Sequence, residues 1–309
     1  MYKTALFIIV IVFLPILMFS QENGKRVKVY YKQVNDCNYE FYATNENFCP
    51  YQVEVDLRGA ENLFITAHLP FYTIIEPQTE EYLFTVVTWK DISKTLKIVH
   101  NTYIGDINVL PDTNYIYFLP YEPGAACRVN QGYNERFTHK GSMKYSIDFG
   151  MSVGSYIYAA REGIVVDVKD DSNKHGLSRY YRKFANYITI YHSDGTFSQY
   201  VHIMKNGSLV KVGDYVEKGQ LIGLSGNTGR TRGPHLHFMV YKATYKGKET
   251  IPTLFLTSDN VATYLQRKNF YISTRTNVSQ SIVQVSSNVP ASSLNTNYSK
   301  TSEADLGGL

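Results

Sequence analysis

Gly233-Pro234-His235-Leu236-His237-Phe238 places two imidazoles two residues apart. On a strand, residues i and i+2 project from one face, roughly 7 Å apart along the backbone. His235 and His237 then stand side by side, while Leu236 and Phe238 point the other way into a core. One imidazole of such a pair can ligate a metal while the other reaches water or substrate. Two solvated histidines on a strand are the plain alternative. Ser146-Ile147-Asp148-Phe149-Gly150 sets a carboxylate among aliphatic and aromatic residues, where burial demands a partner. A cation would supply one, and an ordinary turn aspartate would need none. Tyr200-Val201-His202 ends an alternating run that predicts His202 and Tyr200 on one face, opposite Val201 and Ile203. Taken alone, His202 reads as a satisfied core or surface histidine.

Strands must carry these residues. Gly163–Lys169, Tyr187–His192, Thr196–Ile203 and His235–Lys242 have strand character, and GDYVEKGQ, between Val212 and Leu221, reads as a tight connection. Upstream, short alternating runs at Val27–Tyr31, Tyr39–Ala43, Tyr51–Leu57, Leu63–His68, Tyr82–Thr88 and Leu96–His100 are separated by turn residues. With no sustained helical period, this spacing predicts a small β-sandwich. No catalytic constellation lies within it, and His68 and His100 read as isolated strand or loop residues. Leu-Pro-Tyr-Glu-Pro at 119–123 reads as a linker, Asn260–Arg267 as one short helix, and the Ser/Thr/Asn-rich segment 273–309 as a flexible tail.

Composition bounds the function. At 309 residues, 44% hydrophobic and 19% charged, the chain has the makings of about two globular domains. Its 27 tyrosines favour strands. A net charge of +4 with no dense basic stripe argues against a nucleic-acid partner. Three cysteines are too few for a disulfide scaffold or a Cys-only zinc site. Lys3, the apolar run Ala5–Phe19 and the polar boundary Ser20-Gln21-Glu22 read as a secretory signal peptide. The run is short of the roughly 20 apolar residues of a membrane span. Contact with a membrane is thus expected only through this segment if it is left uncleaved. The mature protein is then expected to be secreted or to reside in the periplasm or cell envelope. There Cys37 and Cys49 can pair across a hairpin, with Cys127 left over; three unpaired thiols are the alternative.

In order along the chain, YSIDFGMSVGSYIYAAREGIVV, ANYITIYHSDGTFSQYVHI and VKVGDYVEKGQLIGLSGNTGRTRGPHLHF resemble the M23 peptidases, the LytM or lysostaphin-type zinc endopeptidases. The resemblance covers about residues 130–242. It implies an all-β fold in which the small sandwich precedes an antiparallel β-sheet domain of the duplicated-hybrid-motif kind. With the readings above, the expected layout is a signal at 1–20, the sandwich at 21–118, the peptidase domain at 119–250, an extension at 251–272 and the tail at 273–309. It also implies a Zn²⁺ cofactor and peptidoglycan peptides as substrate. Asp148 and His237 match family metal ligands, and His202 and His235 match two catalytic histidines that do not ligate. The family's usual first motif is His-x-x-x-Asp, but four residues before Asp148 stands Lys144. The resemblance then points to His139 as the third ligand, returned towards Asp148 by a turn at Gly141-Ser142. Two neutral nitrogens and one carboxylate leave a fourth position open, the arrangement of catalytic zinc. Tyr200 is expected to line the cleft, Asn227 and Thr228 to shape a turn, His192 to bond a turn, and His175 to sit in a loop at the rim. Arg179, Arg182 and Lys183 can meet an anionic wall polymer or form a solvated loop. Two rivals stand beside an enzyme. One is a non-catalytic relative that binds cell wall or activates another hydrolase. The other is a lipoyl- or biotinyl-carrier barrel, for which the modifiable lysine in a tight turn is missing.

Overall fold

A computed structural model describes residues 27–275, except 61–62, 90–91, 93–95, 136–137 and 259–260, together with 284–285. The expected signal peptide and most of the 273–309 segment lie outside the described residues. Among the described residues, no helix is long and apolar enough to cross a membrane.

The amino-terminal strands are β1 (Val27–Gln33), β2 (Asn38–Asn45), β3 (Tyr51–Arg58), β4 (Phe64–Ile65), β5 (Phe71–Ile75), β6 (Thr79–Val87) and β7 (Lys97–Ile104). They form two antiparallel sheets, in the orders β1-β2-β6-β4 and β5-β3-β7. In β2, Tyr39, Phe41, Ala43 and Asn45 are buried and the residues between them are not, the period of a strand with one face on a core. Phe41, Val53, Val55, Ile75, Phe84 and Val86 fill the space between the sheets, so this region is the expected sandwich. Strand β5 was not legible in the sequence: Phe-Tyr-Thr-Ile-Ile is half-buried over its first four residues and shows no alternation.

The rest of the chain adds β8 (Ile116–Tyr117), β9 (Ala126–Gln131), β10 (Ile147–Phe149), β11 (Tyr156–Tyr158), β12 (Gly163–Lys169), β13 (His175–Gly176), β14 (Tyr187–Tyr191) and β15 (Phe197–Val201). There follow β16 (Ile203–Ser208), β17 (Tyr215–Val216), β18 (Leu221–Ser225), β19 (Gly229–Arg230), β20 (Leu236–Thr244), β21 (Gly247–Thr250), β22 (Leu254–Leu256), β23 (Val261–Thr263), β24 (Phe270–Ile272) and β25 (Gln284–Val285). One large sheet runs β17-β12-β14-β15-β20-β10-β9-β24, with β21 also on β20. The small sheet β11-β18-β16 contributes Ile157, Ile203 and Ile222 to a core shared with Val129, Ile188, Leu236, Phe238 and Val240 of the large sheet. On its other face, Met239 and Tyr241 pack with Phe197 and with Cys49 from the sandwich.

Four expectations need correction. Cys37 and Cys49 do not pair, and all three cysteines are free thiols. No hairpin brings the two together; the whole of β2 runs between them, about 25 Å of extended chain. Residues 119–123 are not a free linker, because Leu119 and Tyr121 are buried in the second core and the Tyr121 hydroxyl donates to the Tyr271 carbonyl at 2.7 Å. Of the segment expected as a helix, the described residues 261–267 are not helical. Val261–Thr263 instead pair antiparallel with β22, and a segment of eight residues cannot hold a helix alone. The start of the expected tail is also packed: Ser273 is buried, and the Arg275 guanidinium lies 3.9 Å from the centre of the Tyr158 ring.

Candidate functional site

Asp148 on β10 lies directly opposite His237 on β20, and on the far side of β20 Val201 pairs with His237. The strand period therefore turns His237 towards the open face, while Leu236 and Phe238 enter the core as expected. His139 reaches the same place from the loop after β9. The 3₁₀ turn Gly141–Met143 reverses the chain between His139 and β10. The His139 ring is fully buried, and its Nδ1–H donates to the Gly132 carbonyl at 2.7 Å. A carbonyl only accepts, so this bond fixes the proton on Nδ1 and leaves the Nε2 lone pair facing Asp148.

Asp148 Oδ1 lies 3.2 Å from His139 Nε2 and 2.8 Å from His237 Nδ1. The candidate ligand atoms of His139, Asp148 and His237 all fall within 4.8 Å of one another. A tetrahedral zinc with bonds of about 2.0–2.1 Å holds its ligands roughly 3.3 Å apart, so the cluster fits the ion in both spacing and donor chemistry. Burial opposes ionisation of Asp148, but the flanking imidazoles of His139 and His237 outweigh it and hold the carboxyl far below the usual range. Burial likewise pushes the His237 imidazole down, against the pull of Asp148. Lys144, at the position of the family's usual first ligand, is turned elsewhere: its Nζ contacts Glu249 at 3.1 Å and lies over the Tyr145 ring.

His202 and His235 flank this cluster, with ring centres 4.5 Å apart. His202 Nδ1–H donates to the Thr228 carbonyl at 2.5 Å and His235 Nδ1–H to the Gly233 carbonyl at 2.8 Å. In both rings Nε2 is left as the working nitrogen, and that of His235 stands 3.8 Å from Asp148 Oδ1. Burial, reinforced by His235 and His237, pushes His202 down to about 3, so it is neutral at physiological pH. His202, His235, His237 and Asp148 line one cleft of about 1110 Å³.

Tyr200 is absent from that cleft. It is fully buried in the second core, where its hydroxyl accepts from the Ala160 N–H at 2.7 Å. Strand alternation fails here because His202 has a φ of 71°, which resets the side-chain parity and puts neighbouring Val201 and His202 both on the cleft. Asn186 secures this kink. Its carbonyl accepts from the His202 N–H at 2.9 Å, and its Nδ2 donates to the Ser172 carbonyl at 2.8 Å and the Ile203 carbonyl at 3.2 Å. The Thr228 hydroxyl completes the support by donating to the Ile203 carbonyl and accepting from the Asn186 N–H. Sequence reading missed Asn186, and no spacing marks it out in Ala185-Asn186-Tyr187. Thr228 does more than shape a turn, because its carbonyl orients His202. His192 is buried and donates from Nδ1 to the Glu162 carbonyl at 2.7 Å, while His175 is exposed on β13.

Residues 142–252 match the model of peptidase family M23, beginning three positions after His139. Peptidoglycan DD-endopeptidase ShyA of Vibrio cholerae is 34% identical over 125 residues, 39% of this chain and 26% of ShyA. An uncharacterized metalloprotease of Buchnera aphidicola is 37% identical over 177 residues, 53% of this chain and 44% of its own. Lysostaphin of Staphylococcus simulans is 41% identical over 99 residues, 32% of this chain and 18% of lysostaphin. The chain thus spans less than half the length of these relatives. The solved catalytic domain of lysostaphin aligns with 43% of this chain and 84% of its own, at 31% identity and a TM-score of 0.27. Over residues 142–252, the chain is thus similar to peptidase family M23.

Proposed function

We propose that the chain is a zinc endopeptidase of the cell envelope or the exterior, exported through residues 1–20, that hydrolyses peptide bonds in bacterial peptidoglycan. The observation that carries this reading is the convergence of five side chains from separate elements. Three of them, His139, Asp148 and His237, make a metal-sized cluster, and His202 and His235 stand beside it with Nδ1 already committed to carbonyls. The peptidoglycan DD-endopeptidases among the relatives support the substrate class.

His139, Asp148 and His237 would hold the ion. Bound zinc supplies Lewis-acid polarisation of the scissile carbonyl and a lowered pKa for the attacking water. The protein's own part is to hold and move protons. Between them, the Nε2 atoms of His202 and His235 accept the proton of the attacking water and donate one to the developing oxyanion or leaving amine. In sum, the C–N bond breaks, the water oxygen joins the acyl carbon and the amine leaves protonated. The non-catalytic scaffold fits less well, since it would keep no need for two oriented, non-ligating histidines.

Digestion of purified sacculi with the zinc-loaded protein, followed by mass spectrometry of the fragments, tests the proposal. Fragments with new amino and carboxyl termini within the peptides are expected. Disaccharides released with intact peptides would make it a glycosidase. A chain that binds zinc and wall material yet releases nothing would be the scaffold.

A further inference from the structure

The cleft is lopsided in charge. Its described lining includes Lys140, Arg182, Arg230, Arg232, Lys248 and Arg267, against a single carboxylate, Asp148, which is already engaged by histidines. Arg267 pairs with Glu135 at 3.3 Å. Among the described residues, Lys140, Arg182, Arg230 and Lys248 form no ion pair with a carboxylate. The partners of Arg230 and Lys248 are neutral: Arg230 Nε donates to the Leu177 carbonyl at 3.0 Å, and Lys248 Nζ to Gln199 Oε1 at 3.3 Å. These cations come from separate elements. Arg182 sits in the 3₁₀ segment Arg179–Phe184, Arg230 on β19 and Lys248 on β21. Lysine and arginine clustered on a fold's outer surface are ordinarily solvated. Here they converge on one concavity whose floor is the histidine cluster, and a cleft lined by one sign of charge focuses the field onto whatever enters it.

We infer that Arg182, Arg230 and Lys248 are specificity-determining residues that select peptides carrying free carboxylates close to the scissile bond over their uncharged counterparts. The inference rests on the endopeptidase reading and adds the charge class of its substrate. A carboxylate entering the cleft meets Arg182 and Arg230, which have no ion-pair partner among the described residues, and Lys248, whose only carboxylate influence is the more distant Asp167. A carboxamide of the same shape keeps the hydrogen bonds and forfeits the charge. Burial also pushes the Lys248 amine down to about 8, outweighing the pull of Asp167, the mark of an ammonium only partly compensated.

The test uses the full chain and two probes, a cross-linked muropeptide and the same muropeptide with its carboxylates converted to carboxamides. Both kcat/KM and equilibrium binding are measured. A preference of about tenfold or more for the carboxylate form is expected, the range of one charge-assisted hydrogen bond. It should shrink towards parity as salt rises from about 0.01 to 1 M, where the screening length falls from about 30 to 3 Å. Arg182→Gln, Arg230→Gln and Lys248→Gln should each narrow the ratio between the two probes, and Lys248→Arg should restore it. Because a ratio is read, a general loss of activity or fold in one variant cannot imitate the result, and the salt series on the wild type needs no variant at all. Equal binding and equal cleavage of both probes at every salt concentration would overturn the inference and leave the endopeptidase reading standing. Preferential binding of the carboxylate form without cleavage of either would do the reverse. Tighter binding of an oligonucleotide than of the carboxylate muropeptide would mark a general polyanion site and also overturn it.

Discussion

His139 and Lys144 occupy neighbouring turns yet face different partners, and this contrast decides which one can serve a metal. Lys144 is spent on Glu249, whereas His139 is buried with its Nδ1 proton committed to Gly132. His139→Ala, Asp148→Ala and His237→Ala are therefore each expected to lose the one equivalent of zinc that the metal-stripped wild type takes up, and Lys144→Ala to keep it. Elemental analysis after dialysis reads this directly, and zinc retained by His139→Ala would place the third ligand elsewhere. His202→Ala and His235→Ala should keep zinc and lose roughly 10²–10⁴-fold in turnover; loss of zinc in either would make that histidine a ligand. Asn186 is a positioning residue of another kind. Asn186→Ala removes the donor to the Ser172 and Ile203 carbonyls and the acceptor for the Ser172 N–H, all in buried surroundings. A stability loss of about 1–3 kcal/mol is expected, with zinc retained and kcat reduced more than KM is raised. Unchanged kcat would show that the His202 kink holds without it.

Much of the site was legible wherever a single strand kept its period. His237, Leu236 and Phe238 obey i, i+2 alternation on β20, and Gly163–Lys169 is a strand with the bounds its pattern gives. Legibility ended where backbone geometry broke the period. The positive φ of His202 put it on the face opposite Tyr200, which stays in the core, and nothing in Tyr200-Val201-His202 announces that kink. Asn186 was illegible for a related reason: its partners lie 14 and 17 positions away in sequence. His192, just past the end of β14, carries a pH consequence. Burial pushes its imidazole down to about 4 from an ordinary 6.5. The unfolded chain thus binds a proton more readily than the folded one between those values. The native state keeps this contribution above about pH 6.5 and loses it as pH falls towards 4, by on the order of 3 kcal/mol. His192→Asn preserves a donor to the Glu162 carbonyl and removes the titration. Chemical unfolding at pH 7.5 and pH 4 should show a smaller acid loss in the variant than in the wild type. Other groups that titrate in both proteins cancel in that difference, so equal losses would mean that His192 is not buried as a neutral ring.

At the scale of the molecule, composition announced two β-rich regions but not how they meet, because the meeting residues are unremarkable in sequence. Gln52 of the sandwich donates to the carbonyls of Gly105 and Thr244, both at 3.2 Å. Glu54 pairs with Lys246 at 2.7 Å, and Cys49 packs on Phe197 and Tyr241. Tyr241 and Met239 continue along β20 from His237 on the same face, so the sandwich docks on the strand that carries the site. Gly105 is the tightest point of this contact. A Cβ there would lie 2.7 Å from Ala243 Cβ and 2.9 Å from Phe197 Cε2, at a φ of +90°. Gly124 has a similar φ of +82° with nothing within 4 Å of its would-be Cβ. Alanine at Gly124 therefore costs only the strained backbone, about 1–3 kcal/mol. Alanine at Gly105 adds the clash, and its total should reach roughly 2–5 kcal/mol. Thermal unfolding of the two variants beside the wild type isolates the docking term as the difference between them. A larger drop in melting temperature for Gly105→Ala, with faster proteolytic cleavage between the sandwich and the region that carries the site, is the expected result. Equal drops for the two variants would mean that β20 and the sandwich do not press together at Gly105.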